Sequence, residues 1–173
     1  ISLVAIAGTS VEDVTLNAAA GNVTVGAIGA TDGQINDVTI TGATINLGGF
    51  INTENNVADA GDVDINGNVI LTTAVTIDTS DAAAGVVDGT FNISGTVNGA
   101  FDLDIITDSA IAGIGGIIGG TTALATLDIN QAAGATGAVT ISNNIGTTTA
   151  AGVTGATRIG NANTSTLTLA GTV

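Results

Sequence analysis

The side chains in this sequence that could do chemistry are carboxylates, and almost nothing stands beside them to assist. Fifteen Asp and Glu residues face a single basic one, Arg158, and His, Cys, Tyr and Lys are all missing. General acid–base catalysis near neutral pH draws on those four types or on a tuned carboxylate pair. An enzyme here would therefore have to be something like a two-carboxylate glycosidase. Sugar platforms commonly add aromatic rings, yet Phe50, Phe91 and Phe101 are the whole aromatic complement. The residue types point to a protein that is not an enzyme and carries no organic cofactor.

Metal ligation is the sharper idea. Asp62-Val63-Asp64-Ile65-Asn66-Gly67 matches the opening oxygen ligands of an EF-hand loop, but its twelfth position falls on Thr73 instead of a bidentate Glu. Alternation of Asp with Val and Ile describes a strand with Asp62 and Asp64 facing outward. If such strands stack in register, Asp37, Asp62 and Asp102 form one column and Asp64 and Asp104 another. Carboxylates held that close repel unless screened, protonated or bridged, and calcium is the cation that would bridge them. The competing reading is a set of solvated carboxylates that keep the surface soluble and discourage lateral sticking.

The formal charge of −14 argues against nucleic acid and against anionic lipid as partners. Arg158, in Thr157-Arg158-Ile159-Gly160, is read as a solvated or locally paired side chain, a bidentate carboxylate partner being the specific version. Thr39-x-Thr41 and Thr166-x-Thr168 raise an ice-binding threonine ladder, which Asp64-x-Asn66 and Asp128-x-Asn130 interrupt. Asn-x-Ser/Thr sequons at Asn22, Asn92 and Asn163 permit glycosylation without indicating it.

The elements that must position these residues come from a recurring phrase. Asp13-Val14-Thr15-Leu16-Asn17 returns as Asp37-Val38-Thr39-Ile40-Thr41, Asp62-Val63-Asp64-Ile65-Asn66, Asp102-Leu103-Asp104-Ile105, Thr126-Leu127-Asp128-Ile129-Asn130 and Thr166-Leu167-Thr168-Leu169. Val14, Val38 and Val63 are 24 and 25 residues apart, and Leu103 and Leu127 are 24 apart. The 40-residue gaps from Val63 to Leu103 and from Leu127 to Leu167 fit two shorter coils each, with intermediate strands at Val75-Thr76-Ile77 and Val139-Thr140-Ile141. Further short strands lie between, around Val23, Ile45, Val69 and Phe91.

Two or three short strands per period, broken by Gly, Asn or Asp, predict an all-β fold, a parallel β-solenoid (β-helix) of about seven coils. One coil of small Val, Ile, Leu and Ala side chains cannot bury itself, whereas a stack can. An antiparallel β-sandwich is the alternative, since its short strands recur at similar intervals, but sandwich cores usually rest on larger aromatic anchors. Residues 1–173 read as one repetitive β domain, a segment or mature subunit of a larger surface or fibre protein, because the sequence opens on Ile1 and stops in mid-pattern at Val173. The uncharged stretch Ser109–Leu127 with Gly115 and Gly119 must be weighed as a membrane helix. Its glycines and threonines and the flanking Asp108 and Asp128 favour solenoid corners instead, with Ile111, Ile114, Ile117 and Ile118 interior.

Gly119-Gly120-Thr121-Thr122-Ala123-Leu124-Ala125-Thr126-Leu127-Asp128-Ile129, with Gly137-Ala138-Val139-Thr140-Ile141 and Asn144-Ile145-Gly146, resembles the β-strand-repeat regions of large bacterial surface proteins. These are the filamentous-haemagglutinin-like and autotransporter-passenger-like exoproteins. The resemblance implies a right-handed parallel β-helix, export to the cell exterior, and a fibre, coat, stalk or adhesin role. The expected function is a structural module whose partners are copies of itself or neighbouring repeats, joined end to end through strand edges. The alternative is an adhesin that contacts a surface ligand through loops at Gly49–Gly61 or Asp81–Asp88.

Overall fold

The structure, a computed structural model, describes residues 1–8, 12–29, 35–53, 60–80 and 87–172. Short runs in which Val, Ile or Leu alternates with Thr, Asn or Asp suit strands, because branched side chains pack well on a pleated surface. Among the described residues the chain forms fifteen strands and no helix: β1 (Ser2–Ile6), β2 (Glu12–Asn17), β3 (Asn22–Ile28), β4 (Ile35–Leu47), β5 (Ile51–Asn52), β6 (Val63–Leu71), β7 (Val75–Asp78), β8 (Phe91–Ile93), β9 (Val97–Asn98), β10 (Leu103–Ile106), β11 (Ala112–Ile114), β12 (Leu127–Ile129), β13 (Val139–Ile141), β14 (Thr157–Ile159) and β15 (Leu167–Leu169). All pairings between them are parallel, which excludes the antiparallel sandwich. A parallel neighbour cannot be reached by a hairpin, so the chain must travel around before it pairs. It does so as a β-solenoid of about six turns, roughly 30 Å of stacked rungs at the usual strand spacing.

Three columns of strands make three faces. Face one stacks β2, the first halves of β4 and β6, then β8, β11, β13 and β15, with Val14, Val38, Val63, Phe91, Ala112, Val139 and Leu167 in register. Face two stacks the start of β3, the second halves of β4 and β6, and β9 through Val23, Ile45, Val69 and Val97, and continues by isolated bridges to Ile118 and Ile145. Face three stacks the ends of β1 and β3 with β5, β7, β10, β12 and β14.

This register corrects part of the sequence reading. Val14, Val38 and Val63 do share a column, and Leu103 does pair with Leu127. Leu103, however, sits on face three beneath Val75, and Leu127 is followed there by Thr157. Val63 is followed by Phe91, and Val139 by Leu167. The two 40-residue gaps are therefore distances between different faces and not pairs of shortened coils. Asp-Val-Asp-Ile on face one and Asp-Leu-Asp-Ile on face three are locally alike, so the phrase alone could not separate them.

The core is built of aliphatic columns. On face three Ile6, Ile28, Ile51, Ile77, Ile105, Ile129 and Ile159 stand one above another, the middle five fully buried. Burying such a side chain fully is worth about 1.5–3 kcal/mol, and each coil provides half of its neighbour's cover. Phe91 is the one buried aromatic, and the residue stacked next to it is Ala112, large beside small. Because Ala112 takes that interior slot, Ile111 is turned outward and is 55% exposed, contrary to expectation; Ile114 and Ile118 are buried, while Ile117 is half-buried.

Glycines let the backbones close up at the corner between faces one and two. A Cβ on Gly67 would lie 1.9 Å from the Gly42 carbonyl oxygen, one on Gly95 2.2 Å from that of Gly67, and one on Gly116 2.3 Å from that of Gly95. Gly67 also has φ +156°. Four coils thus pass at a separation that no side chain permits.

Candidate functional site

The corner where face three turns into face one gathers most of the chain's polar chemistry. Its first element is an aspartate column at the head of the face-one strands. Asp13 accepts the Asp37 amide at 3.4 Å, Asp37 accepts the Asp62 amide at 3.0 Å, and Asp62 accepts the Thr90 amide at 2.7 Å. Asp13 also accepts from Asn36 Nδ2 at 3.2 Å. Each carboxylate therefore caps the coil that follows it, a charge-assisted bond that offsets the repulsion along the column.

The second element is a set of buried threonines at the ends of face-three strands. Thr53 Oγ1 donates to the Gly61 carbonyl at 2.6 Å, Thr79 Oγ1 to the Gly89 carbonyl, and Thr107 Oγ1 to the Ala110 carbonyl at 2.9 Å. These hydroxyls tie the two ends of each corner together inside the protein. Thr107 is held in turn by fully buried Asn130, whose Oδ1 accepts the Thr107 amide at 2.8 Å and whose Nδ2 donates to Thr107 Oγ1 at 2.9 Å. Asn130 has φ +51°, a conformation Asn tolerates better than most residues. Asp88, also buried, accepts the amide of Ser109 at 3.0 Å and its hydroxyl.

The five carboxylates singled out from sequence do not converge. Asp37 and Asp62 share the corner column as expected. Asp64 points out of face one, opposite Thr39 and Asn92, whose amide donates to it at 3.4 Å. Asp102 and Asp104 lie on face three: Asp102 accepts the Thr126 hydroxyl at 2.7 Å, and Asp104 is in register with Thr76 and Asp128. Asp102 therefore does not continue the Asp37–Asp62 column, and Asp104 does not stand over Asp64. Among the described residues no three acidic side chains are grouped as a metal would need, and calcium takes six to eight oxygens. A bridging cation would have only the Asp37–Asp62 pair of these five to use.

Asp104 is the electrostatically unusual group. Partial burial raises its pKa above the ordinary carboxylate value, neighbouring Asp128 and then Asp78 raise it further, and Arg158 opposes them. Arg158 grips Asp128 in a two-pronged pair, Nε to Oδ1 and Nη2 to Oδ2, both at 2.6 Å. The single cation is thus locally paired on face three, one coil beyond its partner. Asp13, Asp88 and Asp128 were not singled out from sequence. Asp13 opens the same phrase as Asp37 and could have been found by that rule, whereas nothing local marks Asp88.

The threonine ladder lies on face one, where Thr15, Thr39, Asp64, Asn92, Gly113, Thr140 and Thr168 form the outward column. Three residues break it, and Asp128, on face three, is not among them. The stretch 109–127 forms β11 and corners, and no helix among the described residues is long and apolar enough to cross a membrane. Of the two loops expected to bind a ligand, residues 54–59 and 81–86 lie outside the described residues. Their described flanks, Thr53 and Ala60, Ser80 and Val87, belong to the same corner in successive coils.

The outermost coils are the other notable surface. Leu167 and Leu169, in register with buried Val139 and Ile141, are 47% and 42% exposed, and Leu3 and Val4 of β1 are exposed as well. No family model, curated protein or solved structure matches the chain.

Proposed function

We propose that this chain is a non-enzymatic structural module, a stretch of extracellular fibre, coat or stalk, whose outermost coils accept a further coil of the same register from another copy. One observation carries the reading: the columns running from Val14 to Leu167 and from Ile6 to Ile159 stay apolar through the described coils, and Leu167 and Leu169 are exposed on the last described rung. A strand with free amides and carbonyls beside exposed leucines is a template for strand addition. A second copy's first coil would continue the columns, Val14 and Leu16 over Leu167 and Leu169, and Ile6 over Ile159. Repetition of one interface head to tail gives an open filament. An acidic surface suits an exterior where salt screens it.

Electron microscopy of the purified chain tests this. Straight fibres one solenoid wide, shortened to single rods by Leu169→Asp, are the expected result; single rods at every concentration would remove the filament reading. The adhesin reading retains one favouring observation, that the described flanks of the segments at 54–59 and 81–86 fall at the same corner of successive coils, tied at the base by Thr53 and Thr79. Saturable binding of single rods to a cell surface, abolished by exchanging residues 54–59 and 81–86, would favour it over the fibre.

A further inference from the structure

Face two carries no charged side chain. The segments that cross it, 18–27, 42–50, 66–74, 94–101, 115–126 and 142–156, contain none of the fifteen carboxylates and not the arginine. All of these residues are described. Charge instead crowds the corner of Asp13, Asp37 and Asp62 and the outer side of face three, where Asp78, Asp104 and Asp128 repel one another.

What face two presents is an ordered array of amides and hydroxyls. Thr24, Asn46, Ile70 and Asn98 are in register along it. Asn46 Nδ2 donates to Thr24 Oγ1 at 3.2 Å; the Thr96 amide and hydroxyl both donate to Asn68 Oδ1 at 3.1 Å; the Thr121 amide and hydroxyl both donate to Asn98 Oδ1 at 2.9 Å. Side chains already held by the neighbouring coil lose little freedom when covered. Ile70, 40% exposed, lines a trough of about 460 Å³ together with Thr44, Asn68, Thr96, Asn98 and Thr121.

We infer that face two is a lateral contact on which two copies of this chain lie side by side, face two against face two. The charge distribution selects both the face and the occupant. With a net charge of −14 on each rod, apposition through the acidic corner or through face three sets carboxylates against carboxylates. Face two is the one of the three faces whose described residues carry no charged side chain, so apposition there keeps the described carboxylates out of the contact, and salt screens what repulsion remains over a Debye length of about 8 Å. Under a two-fold axis, each Ile70 meets the other copy's trough. A face of roughly 30 by 20 Å buries on the order of 600 Å² per copy, the low end for a specific pair, so association belongs in the micromolar range. The inference is independent of whether coils join at the ends.

Sedimentation velocity on the Leu169→Asp chain, which keeps the ends apart, tests it. The expected result is a monomer–dimer equilibrium that tightens several-fold between about 20 and 150 mM salt as residual repulsion is screened. Asn46→Asp combined with Ile70→Asp weakens dimerisation at least tenfold, and Thr39→Asp on face one leaves it within about twofold. Because the chain has no cysteine, Asn46→Cys is a second readout: a short bis-maleimide joins two copies, and Thr39→Cys gives no such product. A monomer at all concentrations, equal loss with Thr39→Asp, or cross-linking through Thr39→Cys alone would overturn the inference. So would a monomer that face two tethers to a neutral glycan.

Discussion

Asp104 shows how the stacking of one coil on another changes a single residue. Its pKa is raised by partial burial and by Asp128 and Asp78, so in the folded chain the proton is held more tightly than in the unfolded one. Below the ordinary carboxylate range both states are protonated and the fold is unburdened. As pH rises through the unfolded value towards the folded one, the unfolded chain loses its proton first and the fold loses stability. Asp104→Asn, neutral throughout, is expected to melt higher than the parent near pH 7, and the gain to vanish below about pH 3. A melting curve at each pH checks both halves. At Gly95 the constraint is steric. Gly95→Ala sets a methyl 2.2 Å from the Gly67 carbonyl oxygen, a contact only backbone movement relieves, and chemical denaturation is expected to show a loss of about 1–3 kcal/mol.

At the scale of the strand, the fold rests on columns and not on individual strands, several of which have three residues. Ile77 is fully buried between Ile51 and Ile105. Ile77→Ala is expected to cost about 2–5 kcal/mol, as a core truncation flanked by rigid backbone. Ile159 occupies the last rung of the same column and is only partly covered, so Ile159→Ala should cost clearly less. Urea titration of the two variants compares them, and equal losses would contradict the column description. The inside–outside alternation of these strands was legible in the sequence, because a period of two directly separates core from solvent. Which column a strand joins was not. Asp62-Val63-Asp64-Ile65 and Asp102-Leu103-Asp104-Ile105 share one local pattern, and only the lengths of the intervening corners send the first to face one and the second to face three.

For the whole molecule, the governing quantity is the charge of −14 on a thin rod. Self-repulsion opposes the compact state, and one arginine, engaged with Asp128, offsets little of it. The melting temperature is expected to rise as sodium chloride goes from about 10 to 150 mM, where the Debye length falls from about 30 to 8 Å. Thermal melts across that series check it; a flat response would mean that the amide bonds accepted by Asp13, Asp37 and Asp62 already compensate for the repulsion.

The sequence by itself determined that the chain is β throughout, that its interior is thin and aliphatic, that its strands repeat as a solenoid, and that its chemistry is confined to carboxylates. Each of those follows from residue type and short-range period. Only the tertiary structure decided that the five candidate aspartates belong to separate surfaces, that Asp13, Asp37 and Asp62 spend their oxygens capping the next coil, and that the charge-free segments fall together on one face. Those relations join residues 20 to 30 positions apart, and their register depends on the length and packing of every corner between them, which a local pattern does not encode.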